Sequence, residues 1–279
     1  MDLLSSKEIK NILNKYDIRP SKTMGQNFLI NEPILKKIIE SANLNDNDVV
    51  LEVGPGLGVL TKELAFRVKK VVAVEKDRVM VEILKETLSN YKNIEIIQDD
   101  ILKFDFTKYG LKNKEYKVVA NIPYYLTSPL IRKLLENENA PSDITLLVQK
   151  EVAQRICSDP PDMSLLSVSV QIYARPQIVS YVSKEYFVPK PKVDSAILKI
   201  TPENYIKKYG QIDMNLFFKI VKAGFSQKRK QIRNNLSSLI NDKNQLDMWL
   251  SKNKINPKQR AETLSINDWV NLTKNPPLF

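Results

Sequence analysis

Between residues 5 and 16 the apolar positions Ile9, Ile12, Leu13 and Tyr16 fall at helical spacing, so a short amphipathic helix is predicted there. A polar stretch containing Pro20 and Gly25 follows and reads as a flexible arm. Pro33 then stands where a helix can start, with Ile34, Leu35, Ile38 and Ile39 sharing a face. From residue 48 the rhythm changes. DVVLEVG (48–54), KVVAVEKD (70–77), NIEIIQDD (93–100) and YKVVANIPYY (116–125) are short apolar runs closed by polar or turn residues. Helical stretches at 59–67 and 77–89 lie between them. Strand and helix alternating at this spacing predict βαβ units and a parallel sheet with helices on both faces. Further strands are predicted at 144–149, 177–182 and 194–200, the last two as an antiparallel edge. After ITPENY (200–205) the strand pattern stops, and 214–224, 226–240, 244–252 and 266–273 read as helices. The expected division is an α/β domain over 1–203, with an N-terminal helix and arm over 1–45, and a small helical domain over 204–279.

Composition narrows the chemistry. The chain has 279 residues and 43% hydrophobic content, which suits a globular fold. It has no histidine and one cysteine, Cys157. That removes the commonest general base, an intramolecular disulfide and a cysteine cluster for zinc, and no metal is expected. The first residues are too polar for a signal peptide, and no apolar run approaches the ~20 residues of a membrane span. A reduced, cytoplasmic home is expected, with no membrane partner. The net charge is +11, and it is uneven. Residues 201–279 carry 14 Lys/Arg against 6 Asp/Glu, whereas the first 200 carry 29 against 26. A polyanionic partner would meet that basic last quarter.

Glu52-Val-Gly54-Pro-Gly56-Leu-Gly58 follows the first parallel strand and precedes a helix. Glycines there permit a tight turn and let backbone approach a ligand. A dinucleotide fingerprint would put its third glycine at position 59, which is Val59. Glu75 closes the next strand, where an acid can accept both ribose hydroxyls, and Asp100 closes the one after, where an acid can accept from an adenine amine. These residues describe an adenosine pocket with no demand for pyrophosphate. S-adenosylmethionine fits it, and NAD fits less well.

Asn121-Ile122-Pro123-Tyr124 closes the fourth strand, beside the first, at the point where strand order reverses and ligands sit. An adenine N6 amine is a poor nucleophile because its lone pair is conjugated into the ring. The Asn121 side-chain oxygen can accept one N–H and the Ile122 carbonyl the other, while Pro123 fixes the chain on both sides. Tyr124 can stack on the base. A sulfonium donor needs no general base before attack, which agrees with the missing histidine.

With these residues in place, the chain resembles the ribosomal RNA adenine N6,N6-dimethyltransferases of the KsgA/RsmA type over roughly residues 19–270. The resemblance runs through GQNFL (25–29), LEVGPGLGVLT (51–61), VEKD (74–77), QDD (98–100), NIPYYLTSPL (121–130), VQKEVAQRI (148–156), PKPKVDSA (189–196), FSQKRKQIRNNL (225–236) and RAETLS (260–265). It implies a Rossmann-like S-adenosylmethionine-dependent methyltransferase fold with a small C-terminal α-helical domain. It also implies dimethylation of two adjacent adenosines in a hairpin loop near the 3′ end of small-subunit rRNA, with the 30S pre-ribosomal particle as partner and the enzyme acting as a monomer. By carry-over Asn27 and Leu29 become cofactor contacts, and Gly54, Glu75, Asp100 and Asn121 do so in the same way, beside Gly56. Ile122 replaces the family's usual leucine at a position where a backbone carbonyl acts. Lys228, Arg229, Lys230 and Arg233, crowded at one predicted helix beginning, become candidates for RNA phosphates. Large-subunit adenine methyltransferases of the antibiotic-resistance type share the catalytic loop and are the alternative, but FSQKRKQIRNNL and RAETLS favour the small-subunit type.

Overall fold

The apolar runs pair into one sheet. The computed structural model describes residues 3–18, 26–240 and 242–276, so Pro20 and Gly25 of the expected arm lie outside the described residues. In chain order the strands are β1 (Phe28–Leu29), β2 (Val49–Val53), β3 (Lys70–Glu75), β4 (Ile94–Gln98), β5 (Lys117–Asn121), β6 (Asp143–Gln149), β7 (Ala174–Val182), β8 (Phe187–Val188) and β9 (Ser195–Pro202). The helices that matter below are α1 (Ser6–Lys15), α2 (Glu32–Ser41), α3 (Val59–Ala65), α4 (Arg78–Thr87) and α5 (Thr127–Glu136). Seven strands form a sheet in the order β4-β3-β2-β5-β6-β9-β7. β2 pairs in parallel with both β3 and β5, so the order reverses between β2 and β5. β9 runs antiparallel to β6, as the predicted edge requires. Central strands are buried on both faces: Val50, Leu51, Val71, Val72, Val118 and Val119 have no exposure, which is why they read as unbroken apolar runs.

Local chemistry sets the helix starts. Asp77 accepts from the N–H groups of Val79 and Met80 at the head of α4, and Asn31 accepts from Ile34 at the head of α2. α1 buries Ile9, Ile12 and Leu13 in a cluster with Phe28, Leu57, Met80 and Ile83. A second, small sheet was not foreseen. β1 and β8 form a separate two-stranded sheet, Phe28 opposite Val188 and Leu29 opposite Phe187.

The chain divides into two compact units, Met1–Ala153 with Pro176–Pro202, and Gln154–Arg175 with Glu203–Phe279. A single cut at residue 203 therefore misplaces 154–175. The reason is packing: Met163, Val168 and Ile172 belong to the core of the second unit with Phe217, Leu236, Leu250 and Trp269. The second unit holds α6 (Lys150–Ile156, from Gln154), α7 (Leu165–Gln171), α8 (Tyr205–Tyr209), α9 (Met214–Gly224), α10 (Ile232–Leu236), α11 (Lys243–Lys252) and α12 (Ile266–Lys274). The helix predicted over 226–240 is cut down to α10. Tertiary bonds take its first turns: the Asn235 side chain donates to the Gly224 and Gln227 carbonyls at 2.5 and 3.1 Å, and Ile232 N–H donates to Gln259 O at 2.7 Å. Ile232, Leu236 and Ile240 are buried as their spacing suggests. Among the described residues no helix is long and apolar enough to cross a membrane.

Candidate functional site

The β2–α3 turn forms the floor of a cavity at the carboxyl edge of the sheet. Gly54, Gly56 and Gly58 have φ of +66°, +58° and +88°, a region that L side chains rarely adopt. At Gly56 a Cβ would also meet Phe28 Cε1 at 3.2 Å, so the turn is kept bare in both senses. Gly56 N–H donates to Glu75 Oε2 at 3.3 Å, and Asp77 N–H donates to Glu75 Oε1 at 2.9 Å. Glu75 ends β3 as predicted and is buried. Burial pushes its carboxyl above the ordinary range, and the N–H groups of Asp77, Gly56 and Lys76 pull it partly back.

Asp100 stands two residues beyond the end of β4 and lines the same cavity. Its oxygens are already engaged: Oδ2 takes Lys76 Nζ at 2.9 Å and Oδ1 takes Leu102 N–H at 3.0 Å. The Lys76 ammonium holds its carboxyl below the usual range. The loop after it is tied to α5, because Lys133 Nζ donates to the carbonyls of Leu102 and Phe104 at 3.0 and 2.8 Å.

Asn121 ends β5 opposite the glycine turn, and a Cβ added at Gly54 would meet Pro123 Cδ at 3.5 Å. The Asn121 amide nitrogen donates to the Asn27 carbonyl at 3.3 Å. That bond fixes which end of the amide is which, and leaves Oδ1 as the end not spent on Asn27. Asn27 and Leu29 also line the cavity, on the β1 segment that β8 holds in place. Ile122 is buried. Leu126 N–H closes a turn onto the Pro123 carbonyl at 2.9 Å, and the Tyr124 hydroxyl shares a 3.0 Å hydrogen bond with the fully buried Ser195. Burial pushes the Tyr124 phenol up. The structure thus brings together Asn27, Leu29, Gly54, Gly56, Glu75 and Asp100 with Asn121, Ile122, Pro123 and Tyr124 around one cavity.

Among the lining residues that sequence reasoning missed, three stand out. Phe28 and Phe187 come from the small sheet, whose two-residue strands carry no periodicity. Glu52 is the third. It is 1% exposed, its Oε2 meets no hydrogen-bond partner among the described residues, and the Thr61 hydroxyl is near enough to lower its pKa somewhat. Burial pushes its carboxyl up to about 8. The signal was available: Glu52 is the one acid inside the run VVLEV.

In the second unit Lys228, Arg229 and Lys230 are exposed on the turn before α10. They do not start a helix, as their crowding suggested. Arg233 differs from them. Its guanidinium grips Asp247 with two bonds of 2.6 Å, so it is a fork already filled rather than a phosphate-ready one.

Comparison with known proteins agrees with this geometry. A family model described as ribosomal RNA adenine dimethylase matches residues 5–275. Ribosomal RNA small subunit methyltransferase A of Clostridium botulinum (strain ATCC 19397 / Type A) is 41% identical over 268 residues, 95% of this chain and 96% of that relative. The protein of the same name from Alkaliphilus oremlandii (strain OhILAs) is 40% identical over 287 residues, covering 99% and 98%. Among solved structures, a dimethyladenosine transferase from Plasmodium falciparum superposes with a TM-score of 0.72 at 29% identity, covering 88% of this chain and 95% of that one. The 23S rRNA methyltransferase ErmE superposes with a TM-score of 0.71 at 26% identity, covering 89% and 99%. With a family model matched over residues 5–275 and relatives matched over nearly their whole length, the chain belongs to the ribosomal RNA adenine dimethylase family.

Proposed function

We propose that this enzyme dimethylates the N6 amines of two adjacent adenosines in the 3′-terminal hairpin loop of small-subunit rRNA, with S-adenosylmethionine as methyl donor. The observation that carries the reading is the Asn121 amide, held by the Asn27 carbonyl so that its oxygen is the free end. Asn121 Oδ1 and the Ile122 carbonyl accept the two N–H bonds of an extruded adenine amine. Those bonds draw the nitrogen towards a tetrahedral shape and release its lone pair from the ring. Tyr124, steadied through Ser195, offers a face to the base. A loop adenine costs least to extrude, which suits a cavity of this kind.

The residues present fit the donor. S-adenosylmethionine supplies an electrophilic methyl group on a sulfonium. Glu75 serves the ribose diol, the glycine turn admits backbone contact at Gly54 and Gly56, and Asn27 and Leu29 close over it. Asp100 serves the adenine amine after exchanging one of its present bonds. Glu52, a buried carboxyl held protonated by its surroundings, can give up its proton to pair with a cation, and the donor carries two cationic groups. We place this activity in the cytoplasm and on a monomer; sedimentation as a dimer would contradict the second point.

ErmE, a 23S rRNA methyltransferase, superposes nearly as well as the dimethyladenosine transferase from Plasmodium falciparum, so the large-subunit substrate is the competing reading. Methyl transfer to purified, unmethylated 30S and 50S particles separates the two. We expect label in 30S RNA, and label confined to 50S RNA would overturn the assignment. RNA phosphates are tracked by Lys228, Arg229 and Lys230, while Arg233, given to Asp247, serves the fold. Replacing Arg229 and Lys230 by alanine is expected to flatten the salt dependence of RNA binding by about two contacts. An unchanged slope would put the phosphate track elsewhere.

A further inference from the structure

We propose that Tyr125 is a subsite for a second unpaired base of the substrate RNA, which stacks on its ring while the target adenine occupies the cavity. The inference rests on the RNA-methylating reading above. Tyr125 is 56% exposed and lines the mouth of the cavity. The other strongly exposed aromatics do not line it, and two of them already have a partner. Phe66 meets Tyr91 edge-on at 5.4 Å, and Tyr181 lies under the Lys150 ammonium at 4.9 Å. Among the described residues no aromatic ring packs on the Tyr125 ring and no ammonium lies over its face, though its hydroxyl is near enough to Lys76 to interact with it electrostatically.

Its neighbour makes the contrast sharper. The Tyr124 hydroxyl is bound to Ser195, so that ring is committed to the cavity wall. Both tyrosines stand on one tight turn, Tyr124–Leu126, closed by Leu126 N–H on the Pro123 carbonyl and by the Thr127 hydroxyl on the Tyr124 carbonyl at 3.1 Å. The backbone under Tyr125 is therefore fixed, and an exposed ring on a fixed backbone loses little freedom when a partner stacks on it. Pulling one base out of a loop strips its neighbour of a stacking face. An aromatic ring at the cavity mouth replaces that face without demanding a particular base.

The test compares wild type, Tyr125→Ala and Tyr125→Phe on unmethylated 30S particles, with the affinity for S-adenosylmethionine measured by calorimetry and the melting temperature recorded alongside. Tyr125→Ala is expected to raise KM for the particle about tenfold, with donor affinity and melting temperature unmoved, and Tyr125→Phe to restore KM. An unchanged KM in Tyr125→Ala overturns the proposal. So does a Tyr125→Phe variant as impaired as Tyr125→Ala, which would assign the hydroxyl instead. A parallel loss of donor affinity also overturns it, because Tyr125 would then be part of the donor's own wall. If the wild type labels no 30S adenine, the functional reading fails first, and that result is distinct from all three.

Discussion

Asn121→Ala is expected to lower kcat for methyl transfer about 10²- to 10³-fold while leaving the affinity for 30S particles within about twofold of wild type. The size follows from what the amide does. Adenine's amino lone pair is tied into the ring, and the nitrogen becomes nucleophilic only as it turns tetrahedral. An acceptor fixed in place favours that shape, and it counts for more inside a cavity than in water. The alanine variant removes the acceptor and the bond to the Asn27 carbonyl that held it. Binding should survive if the proposed phosphate contacts at Lys228, Arg229 and Lys230 hold the RNA. Asn121→Asp is the informative second variant. It keeps an acceptor but loses the donor to Asn27, and sets two oxygens facing each other, so little activity should return. Steady-state rates with filter binding of labelled 30S particles check both. Wild-type rates in Asn121→Ala would remove the hydrogen-bond argument.

Donor affinity is expected to rise with pH, by up to about tenfold per unit, and to level off near the Glu52 value of about 8. In the free protein burial keeps the proton on Glu52. A cationic donor prefers the carboxylate, so binding must expel that proton below pH 8. Calorimetry in buffers of different ionisation enthalpy should register the release. The same group sets a stability trend of definite sign. Its folded pKa lies above its ordinary value of 4.5, so the folded state holds a proton that the unfolded chain has lost. The stability it contributes is complete below about 4.5 and drains away as pH climbs to about 8, at roughly 1.4 kcal/mol per unit. Glu52→Gln keeps the shape without the charge. It should match wild type in melting temperature at pH 5, exceed it at pH 8, and bind donor weakly with no pH slope. A flat donor affinity between pH 6 and 8 in the wild type would show that Glu52 meets no cation.

Much of this was legible in the chain. The five parallel strands and the antiparallel edge were readable because strands buried on both faces leave unbroken runs such as VVLEV and KVVAV. Glu75 and Asn121 were readable because strand ends are where polar residues interrupt such runs. What stayed hidden was set by distant partners. Phe28 and Phe187 reach the cavity through a pairing of two residues on each side, too short for any periodicity. Residues 226–231 carry a helical pattern, yet the Asn235 side chain and Gln259 claim the neighbouring backbone. Arg233 looks like its basic neighbours until Asp247, fourteen positions on, is seen to fill it. Segment 154–175 follows an unbroken α/β pattern but buries Val168 and Ile172 with the helices of the second unit. Asp100 was read as an open acceptor, and only the fold shows Lys76 and Leu102 already on it.

The most direct measurement is a structure of the enzyme with S-adenosylhomocysteine and an adenosine-bearing RNA loop bound together. The account expects the adenine N6 to sit between Asn121 Oδ1 and the Ile122 carbonyl, both at hydrogen-bond distance, with the amide nitrogen still on Asn27. An amide turned to present its nitrogen to the base, or an adenine seated with its amine away from both oxygens, would contradict it.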